Sequence, residues 1–395
     1  MQRRFVSRCC ANEYAPHRKR IQIALDFGPI PDSTATLQPT AEHGAHGRLS
    51  LRVDQGSRLA FLAQTDNCSR LQGLVNSGTI RAQAVKRPGY NEVYSIVNRC
   101  HLPVGRDTVN SSATAQFAAA HRAYHVMHDR PVILEDTAAA WLLGPPLNAI
   151  LRVPPLRWLF WRPLLAKVRP VSVFVVVRSR FTDDALAGSI RDGCRQYVIL
   201  GAGLDSWALR HDEPGVTVFE LDHPATQQWK DARIRSRLGA LPPHLVLIPI
   251  DFERESIADV LPRHVFDPQA NTFISWLGTI CYLTPGAIEE AFASLARVCA
   301  PGSRIAFDYF QPKSTMSPAD LRLFEVLDEG GTRRGEPMRT LLEAEQMAEI
   351  LCSAGFRVVE DLPASEIRRR YLAQRPDGLD IPGFARLCCA ERECA

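Results

Sequence analysis

The decapeptide Tyr197-Val-Ile-Leu-Gly-Ala-Gly-Leu-Asp-Ser206 carries the reading of the fold. An apolar, partly β-branched run suits a strand buried on both faces. The glycines behind it suit a tight turn that lets backbone N–H groups approach a ligand closely. Alone, such a turn serves packing more often than binding, so the weight lies on the strands downstream of it. Residues 216–221, 245–250, 272–276 and 304–308 read as four more strands, and residues 224–238, 255–261 and 286–298 as helices between them. Strand–helix units in succession predict a parallel sheet with helices on both faces. Residues 343–353 add a helix, and 355–360 and 385–390 a sixth and a seventh strand. The fold class is α/β, a doubly wound seven-stranded sheet.

In an open parallel sheet, ligands sit beyond the carboxyl ends of the strands. After the first strand come Gly201 and Gly203, after the second Glu220 and Asp222, and after the third Asp251 and Phe252. A carboxylate behind the second strand can accept hydrogen bonds from both ribose hydroxyls. One behind the third suits an exocyclic amine, and a neighbouring Phe suits a ring face. Each has a plainer explanation: Asp222 can cap the helix opening at Pro224, and Asp251 can sit in a turn. In register on three successive strands, they read instead as an edge that recognises adenosine. A dinucleotide fingerprint wants Gly or Ala where this chain has Ser206. S-adenosyl-L-methionine has instead an amino-acid tail whose carboxylate wants an Arg, which Arg178 or Arg180 can supply.

The segments Arg178-Ser-Arg-Phe-Thr-Asp-Asp-Ala-Leu186, Tyr197 to Ser206 and Phe219-Glu-Leu-Asp-His-Pro224 resemble the leucine carboxyl methyltransferase-like family. The likeness is to its bacterial, actinobacterial-type branch of S-adenosyl-L-methionine-dependent methyltransferases. Ser275-Trp-Leu-Gly-Thr-Ile-Cys-Tyr-Leu-Thr284 and Gly302-Ser-Arg-Ile-Ala-Phe-Asp-Tyr309 extend it, so that it spans residues 109–391 in order. The resemblance implies a class I methyltransferase sheet with an antiparallel last strand. It implies that Arg178 binds the methionine carboxylate and that the Gly201–Gly203 turn passes under methionine and ribose. Asp222 would hold the ribose hydroxyls with Glu220 buried behind it, and Asp251 and Phe252 would contact adenine. Many relatives have a glutamate where this chain has Leu277.

Residues 1–108 hold fifteen Lys and Arg against eight Asp and Glu, whereas the remainder is slightly acidic. The leader has no sustained apolar period and is expected to be poorly ordered, or to precede a true start at Val104 or Val109. Residues 109–192 form the expected helical lid, with helices at 113–128, 136–143 and 182–192, the last capped by Thr182. Residues 193–395 form the cofactor-binding domain. A net charge of +4 on 395 residues argues against a dedicated nucleic-acid binder. The eleven cysteines show neither a CxxC pair nor a His at ligand spacing, so no metal site and a reducing, cytoplasmic setting are expected. The most apolar stretch, residues 147–177, is broken by four prolines and several Arg and Lys, so it is no membrane span. Its readings are a cover over a pocket, which we favour, or a layer on a membrane surface.

The expected reaction is in-line methyl transfer to a carboxylate or hydroxyl oxygen of a small, lipophilic acceptor. A hydroxyl needs a base, for which Tyr282, Tyr309, His211 and His121 are candidates. The rivals are a nicotinamide-dependent (NAD) oxidoreductase and a protein that binds S-adenosyl-L-methionine without turnover.

Overall fold

The structure, a computed structural model, describes residues 113–393 except 253, 334 and 335, together with five short strands between residues 21 and 96. Most of the leader and both alternative starts lie outside the described residues. Strands β1 (Ile21–Leu25), β2 (Leu49–Asp54), β3 (Arg58–Ala63), β4 (Ala82–Val85) and β5 (Val93–Ile96) pair in the order β2-β3-β1-β5-β4. Strand β1 runs antiparallel to β3 and parallel to β5. These strands belong to a unit of residues 1–107, separate from the unit of residues 108–395.

The larger unit is built on seven strands: β6 (Gln196–Leu200), β7 (Thr217–Asp222), β8 (Leu245–Pro249), β9 (Thr272–Trp276), β10 (Arg304–Phe310), β11 (Phe356–Pro363) and β12 (Ala385–Arg392). Their order is β11-β12-β10-β9-β6-β7-β8. All neighbours are parallel except β12, which runs antiparallel to both β10 and β11. The chain leaves β6 toward β7 and later returns on its other side as β9, so the topological switch lies at the carboxyl end of β6. Every residue of β6 and β9 is buried, which is why these strands read as continuous apolar runs and not as alternation.

Alternate side chains feed two cores. Tyr197, Ile199, Val218, Phe273 and Ala306 face the helices Ala113–His128 and Arg162–Arg191 through Ala119, Phe174 and Phe181. Val198, Phe219, Ile274 and Phe307 face the helices Pro285–Val298 and Ala344–Ser353 through Ile288, Phe292 and Leu351. Phe292 is the hub of that second core, with ring centroids 5.4–5.9 Å from Trp276, Phe307 and Phe356. Truncating it to Ala would cost about 3–5 kcal/mol.

The lid departs from expectation at its last helix. Residues 182–192 do not begin a helix; they end one that runs from Arg162 to Arg191, bent at Val168 (φ −123°, ψ 18°). The bend lies two residues before Pro170, whose ring removes a helix N–H and crowds the preceding turn. Thr182 is no cap: its hydroxyl donates to the carbonyl of Arg178 at 3.0 Å, one turn back. The valine-rich run 171–177, a poor helix former by propensity, is held helical because most of it is buried. Upstream, short helices at Ala139–Leu142, Pro145–Arg152 and Pro154–Leu156 and a π-helical turn at Arg157–Trp161 make up the rest of the cap. A helix at Pro318–Thr332, with Ser317 as its cap, was not anticipated from the sequence. No helix among the described residues is long and apolar enough to cross a membrane.

Candidate functional site

The turn behind β6 is left-handed at Gly201 (φ +61°) and Gly203 (φ +54°). A Cβ at Gly201 would stand 3.0 Å from Thr279 Oγ1, and one at Gly203 would stand 3.0 Å from Ala115 Cβ. The turn is therefore clasped between the loop behind β9 and the first turn of helix Ala113–His128, and only glycine meets both demands. Asp222, the last residue of β7, accepts the Gly203 N–H on Oδ2 and the His223 N–H on Oδ1, each at 2.6 Å. Burial raises its pKa above the ordinary carboxylate value, and the backbone donors offset only part of that. The Thr226 side chain also hydrogen-bonds this carboxylate, whose two oxygens together have more lone-pair sites than these three donors use.

Two residues earlier, Glu220 is fully buried, and its Oε2 is paired with the equally buried Lys230. Its Oε1 has no partner among the described residues, and burial raises the carboxyl to about 7 despite the lysine. Glu220 is thus sealed from solvent, two residues before Asp222 on β7.

On the other side of the switch, Arg178 donates from Nη1 to Asp308 Oδ2 at 3.1 Å, and the Gly278 N–H donates to Asp308 Oδ1 at 2.6 Å. Gly278 (φ +67°) lies directly under the guanidinium, since a Cβ there would be 2.5–2.8 Å from three of its atoms. Arg180 faces elsewhere, donating to Asp184 Oδ1 at 2.8 Å and to the Ile133 carbonyl at 3.0 Å. Of the two arginines considered, only Arg178 reaches the strand ends. Asp251 and Phe252 follow β8, with the Phe252 ring 45% exposed. Leu277 is half-buried beside Gly278.

The four candidate bases do not gather at one point. Tyr282 lies in the 3₁₀ turn Ile280–Tyr282, on the loop that carries Gly278 and Thr279. Tyr309 follows Asp308 on β10 and so faces the opposite side of the sheet, where its hydroxyl donates to Asp361 Oδ2 at 2.6 Å. Burial and Asp361 push that phenol far above its usual range, which leaves it unfit as a base. His211 stacks on Trp207 at 4.8 Å, and Trp207 stands edge-on to Tyr197 near the amino end of β6. That is the wrong end of the strand for the switch. His121 is wholly buried between Phe117 and Trp161, with ring centroids 4.0 and 5.1 Å away. Burial, with a smaller contribution from Arg169, lowers its pKa to about 3, and neither ring nitrogen has a partner among the described residues.

Sequence reasoning missed the supports of this edge. Asp308 and Gly278 shape the Arg178 position, and Lys230 pairs with Glu220. A lone carboxylate in the apolar strand Ile-Ala-Phe-Asp-Tyr and a glycine two residues beyond Trp276 were the available signals. A buried ionic network also ties cap to turn. Arg122 donates to the Leu204 carbonyl at 2.6 Å and to Asp136 at 2.7 Å, and Ser206 donates to Asp136 at 2.6 Å. Burial pushes Asp136 upward, but Arg122 and Arg210 outweigh it and hold the carboxyl below its ordinary value. A cavity of about 800 Å³ opens elsewhere, between the start of helix Arg162–Arg191 and helix Pro318–Thr332, and shares no residue with this edge.

Comparison with known proteins bears on the family of the chain. Residues 115–296 match the sequence profile of the leucine carboxyl methyltransferase family. The chain is 30% identical over 290 residues to the Bacillus subtilis protein named "Putative S-adenosyl-L-methionine-dependent methyltransferase YktD", covering 68% of this chain and 94% of that one. A Mycobacterium avium protein of the same description is 35% identical over 231 residues, covering 55% and 72% respectively. A crystal structure of a Thermobifida fusca chain superposes over 75% of this chain and all of its own, with a TM-score of 0.49 at 14% identity. The chain belongs to the leucine carboxyl methyltransferase family, in its bacterial branch of S-adenosyl-L-methionine-dependent methyltransferases.

Proposed function

We propose that this chain methylates a carboxylate oxygen of a small, lipophilic acceptor, using S-adenosyl-L-methionine laid along the edge from Arg178 to Phe252. The observation that carries the reading is the convergence of Arg178, the Gly201–Gly203 turn and Asp222 on adjoining strand ends at the switch point. Arg178 would clamp the methionine carboxylate with the guanidinium hydrogens that Asp308 leaves free. The Cβ-free backbone at Gly201, Gly203 and Gly278 would let the ligand lie against the chain, and Asp222 would accept the two ribose hydroxyls. The exposed Phe252 ring would lie on the adenine face, with Asp251 at its amine.

When bound, the cofactor supplies an electrophilic methyl group on a cationic sulfur. The chain's own task is to hold the acceptor oxygen in line with it, about 3–3.5 Å away, and to keep water out. A carboxylate brings its own lone pair and needs no base. That fits a site in which Tyr309 is committed to Asp361 and His211 lies at the far end of β6. The cap from residue 113 to 177 would close over the acceptor, in a cytoplasmic enzyme whose buried thiols stay reduced.

The test is the heat of binding of S-adenosylhomocysteine to the full chain, with NADH as the control. The reading expects tight binding of the first, no heat from the second, and loss of the first in Asp222→Ala. Heat from NADH alone would replace it with the oxidoreductase; no heat from either, for a cooperatively folded chain, would overturn it.

A further inference from the structure

Residues 137–182 hold seven Arg and Lys and no Asp or Glu, although acids make up more than a tenth of the whole chain. Within that stretch Arg152, Arg157, Arg162 and Lys167 recur every five residues. Arg157 turns inward, donating to the Leu151 carbonyl at 3.2 Å and lying 3.1 Å from His128 Nε2. The other three are exposed, and no carboxylate lies within ion-pair distance of them among the described residues. Exposed apolar residues stand among them in the sequence. Val153 is 41% exposed and the Trp158 indole 52% exposed, and Pro154, Pro155, Pro163 and Ala166 are exposed with them. An indole is large enough that leaving half of it in water forfeits a substantial burial energy, and isolated Trp residues seldom stand so far out. The inward residues of the same segment, Leu151, Trp161, Leu165 and Val168, are buried in the cap. The segment is thus a run of short helices lying flat on the protein, apolar inside, with an outer stripe of tryptophan, proline and uncompensated cations.

We infer that this outer stripe, centred on Trp158 and flanked by Arg152, Arg162 and Lys167, docks the protein on an anionic lipid bilayer. The charge selects the occupant. An aromatic ring at headgroup depth with cations beside it is the composition that binds an interface rather than crosses it. Each cation near an anionic surface adds about 1 kcal/mol. A protein partner would have to bring both an apolar pocket and a matching set of acids; a bilayer containing anionic lipid offers both everywhere. At its far end the stripe borders a groove that Ala166 and Lys167 themselves line, where Asp320, Glu329 and Asp380 stand among Arg322, Arg333 and Arg368. With Lys167 the groove holds four cations against three acids, so most of the positive surplus lies with Arg152 and Arg162 on the outer stripe. This inference does not rest on the proposed reaction.

Sedimentation of the full chain with vesicles tests it, using phosphatidylcholine alone and phosphatidylcholine mixed with phosphatidylglycerol, each at low and high salt. The expected result is partitioning at least about tenfold stronger onto the phosphatidylglycerol vesicles, suppressed by salt. The double variant Arg162→Gln, Lys167→Gln should lose about tenfold of it or more, since two cations are removed. Trp158→Ala should weaken it several-fold on its own. All three side chains are exposed, so the variants should unfold at the wild-type temperature. Equal binding to both vesicle types, no binding to either, or variants that bind like wild type would each overturn the inference. So would concentration-dependent self-association that Trp158→Ala abolishes, which would make the stripe a contact between copies of this chain.

Discussion

The strand-end edge and the cap above it solve the problem of placing polar groups in opposite ways. At the edge, Asp222 is held by two backbone N–H groups and Asp308 by Gly278 and Arg178. In the cap, His121 and the Trp161 indole are buried without partners among the described residues, while Arg162 and Lys167 stand exposed without carboxylates. Groups fixed in advance suit a ligand of constant shape. Exposed cations left without carboxylates suit a surface that meets something variable.

The contrast breaks most visibly at Asp222. If the edge is preorganised for two hydroxyls, Asp222→Ala removes two charge-assisted hydrogen bonds and should weaken S-adenosylhomocysteine by about a hundredfold or more. Asp222→Asn, which keeps one acceptor oxygen, should fall between. A loss of thermal stability in the alanine variant without any loss of affinity would turn Asp222 into a structural clasp on Gly203 and nothing more. Gly278→Ala tests the same edge from its other side. The new methyl would meet the Arg178 guanidinium at 2.5–2.8 Å, on a backbone at φ +67°. We expect about tenfold weaker binding together with about 1–3 kcal/mol of lost stability. Wild-type affinity would show that Arg178 is free to bind from a different position.

Legibility divides along the same line. The strands could be read because burial on both faces makes them continuous apolar runs, and their last residues could be read because the topology fixes which ends matter. Gly201, Gly203, Asp222, Asp251 and Phe252 therefore stand out as a set of positions just behind successive strands. Asp308 does not, because its role depends on an arginine 130 residues away, and nothing local marks that pairing. The helix Arg162–Arg191 was illegible for another reason. Pro163 and Pro170 and the valines around them argue locally for short pieces, whereas burial against β9, β10 and β12 holds the helix together through the bend at Val168. Tyr309 misled for a local reason: a tyrosine at the end of an apolar strand looks placed at the mouth of the site until strand alternation sends it to the other face.

The cap makes its own prediction, and pH is the handle. His121 titrates near 6.5 in the unfolded chain but at about 3 when folded. Below pH 6.5 the unfolded chain takes up a proton that the folded one refuses. Stability is therefore lost progressively as the pH falls from 6.5 toward 3, by about 2 kcal/mol at pH 5. His121→Leu removes that term. Its unfolding temperature relative to wild type should rise steadily between pH 7 and pH 5. A constant difference would mean that His121 finds a proton acceptor in solution and is not isolated.

The smallest effect separates the edge from the sheet that carries it. Asp308 and Tyr309 are neighbours on β10 with side chains on opposite faces, one on Arg178 and the other on Asp361. Asp308→Asn keeps the volume and one acceptor oxygen but removes the charge that steadies Arg178, so S-adenosylhomocysteine should bind a few-fold less tightly. Tyr309→Phe removes one hydrogen bond and leaves Asp361 with Arg386 at 3.1 Å. It should cost about 1 kcal/mol of stability and nothing in affinity. Calorimetry and thermal unfolding of the two variants, measured side by side, then give opposite patterns from adjacent residues. If Tyr309→Phe instead abolished methyl transfer while leaving the cofactor bound, the acceptor would have to reach the Asp361 side of the sheet. The cap would then cover the wrong face for the reaction proposed for it.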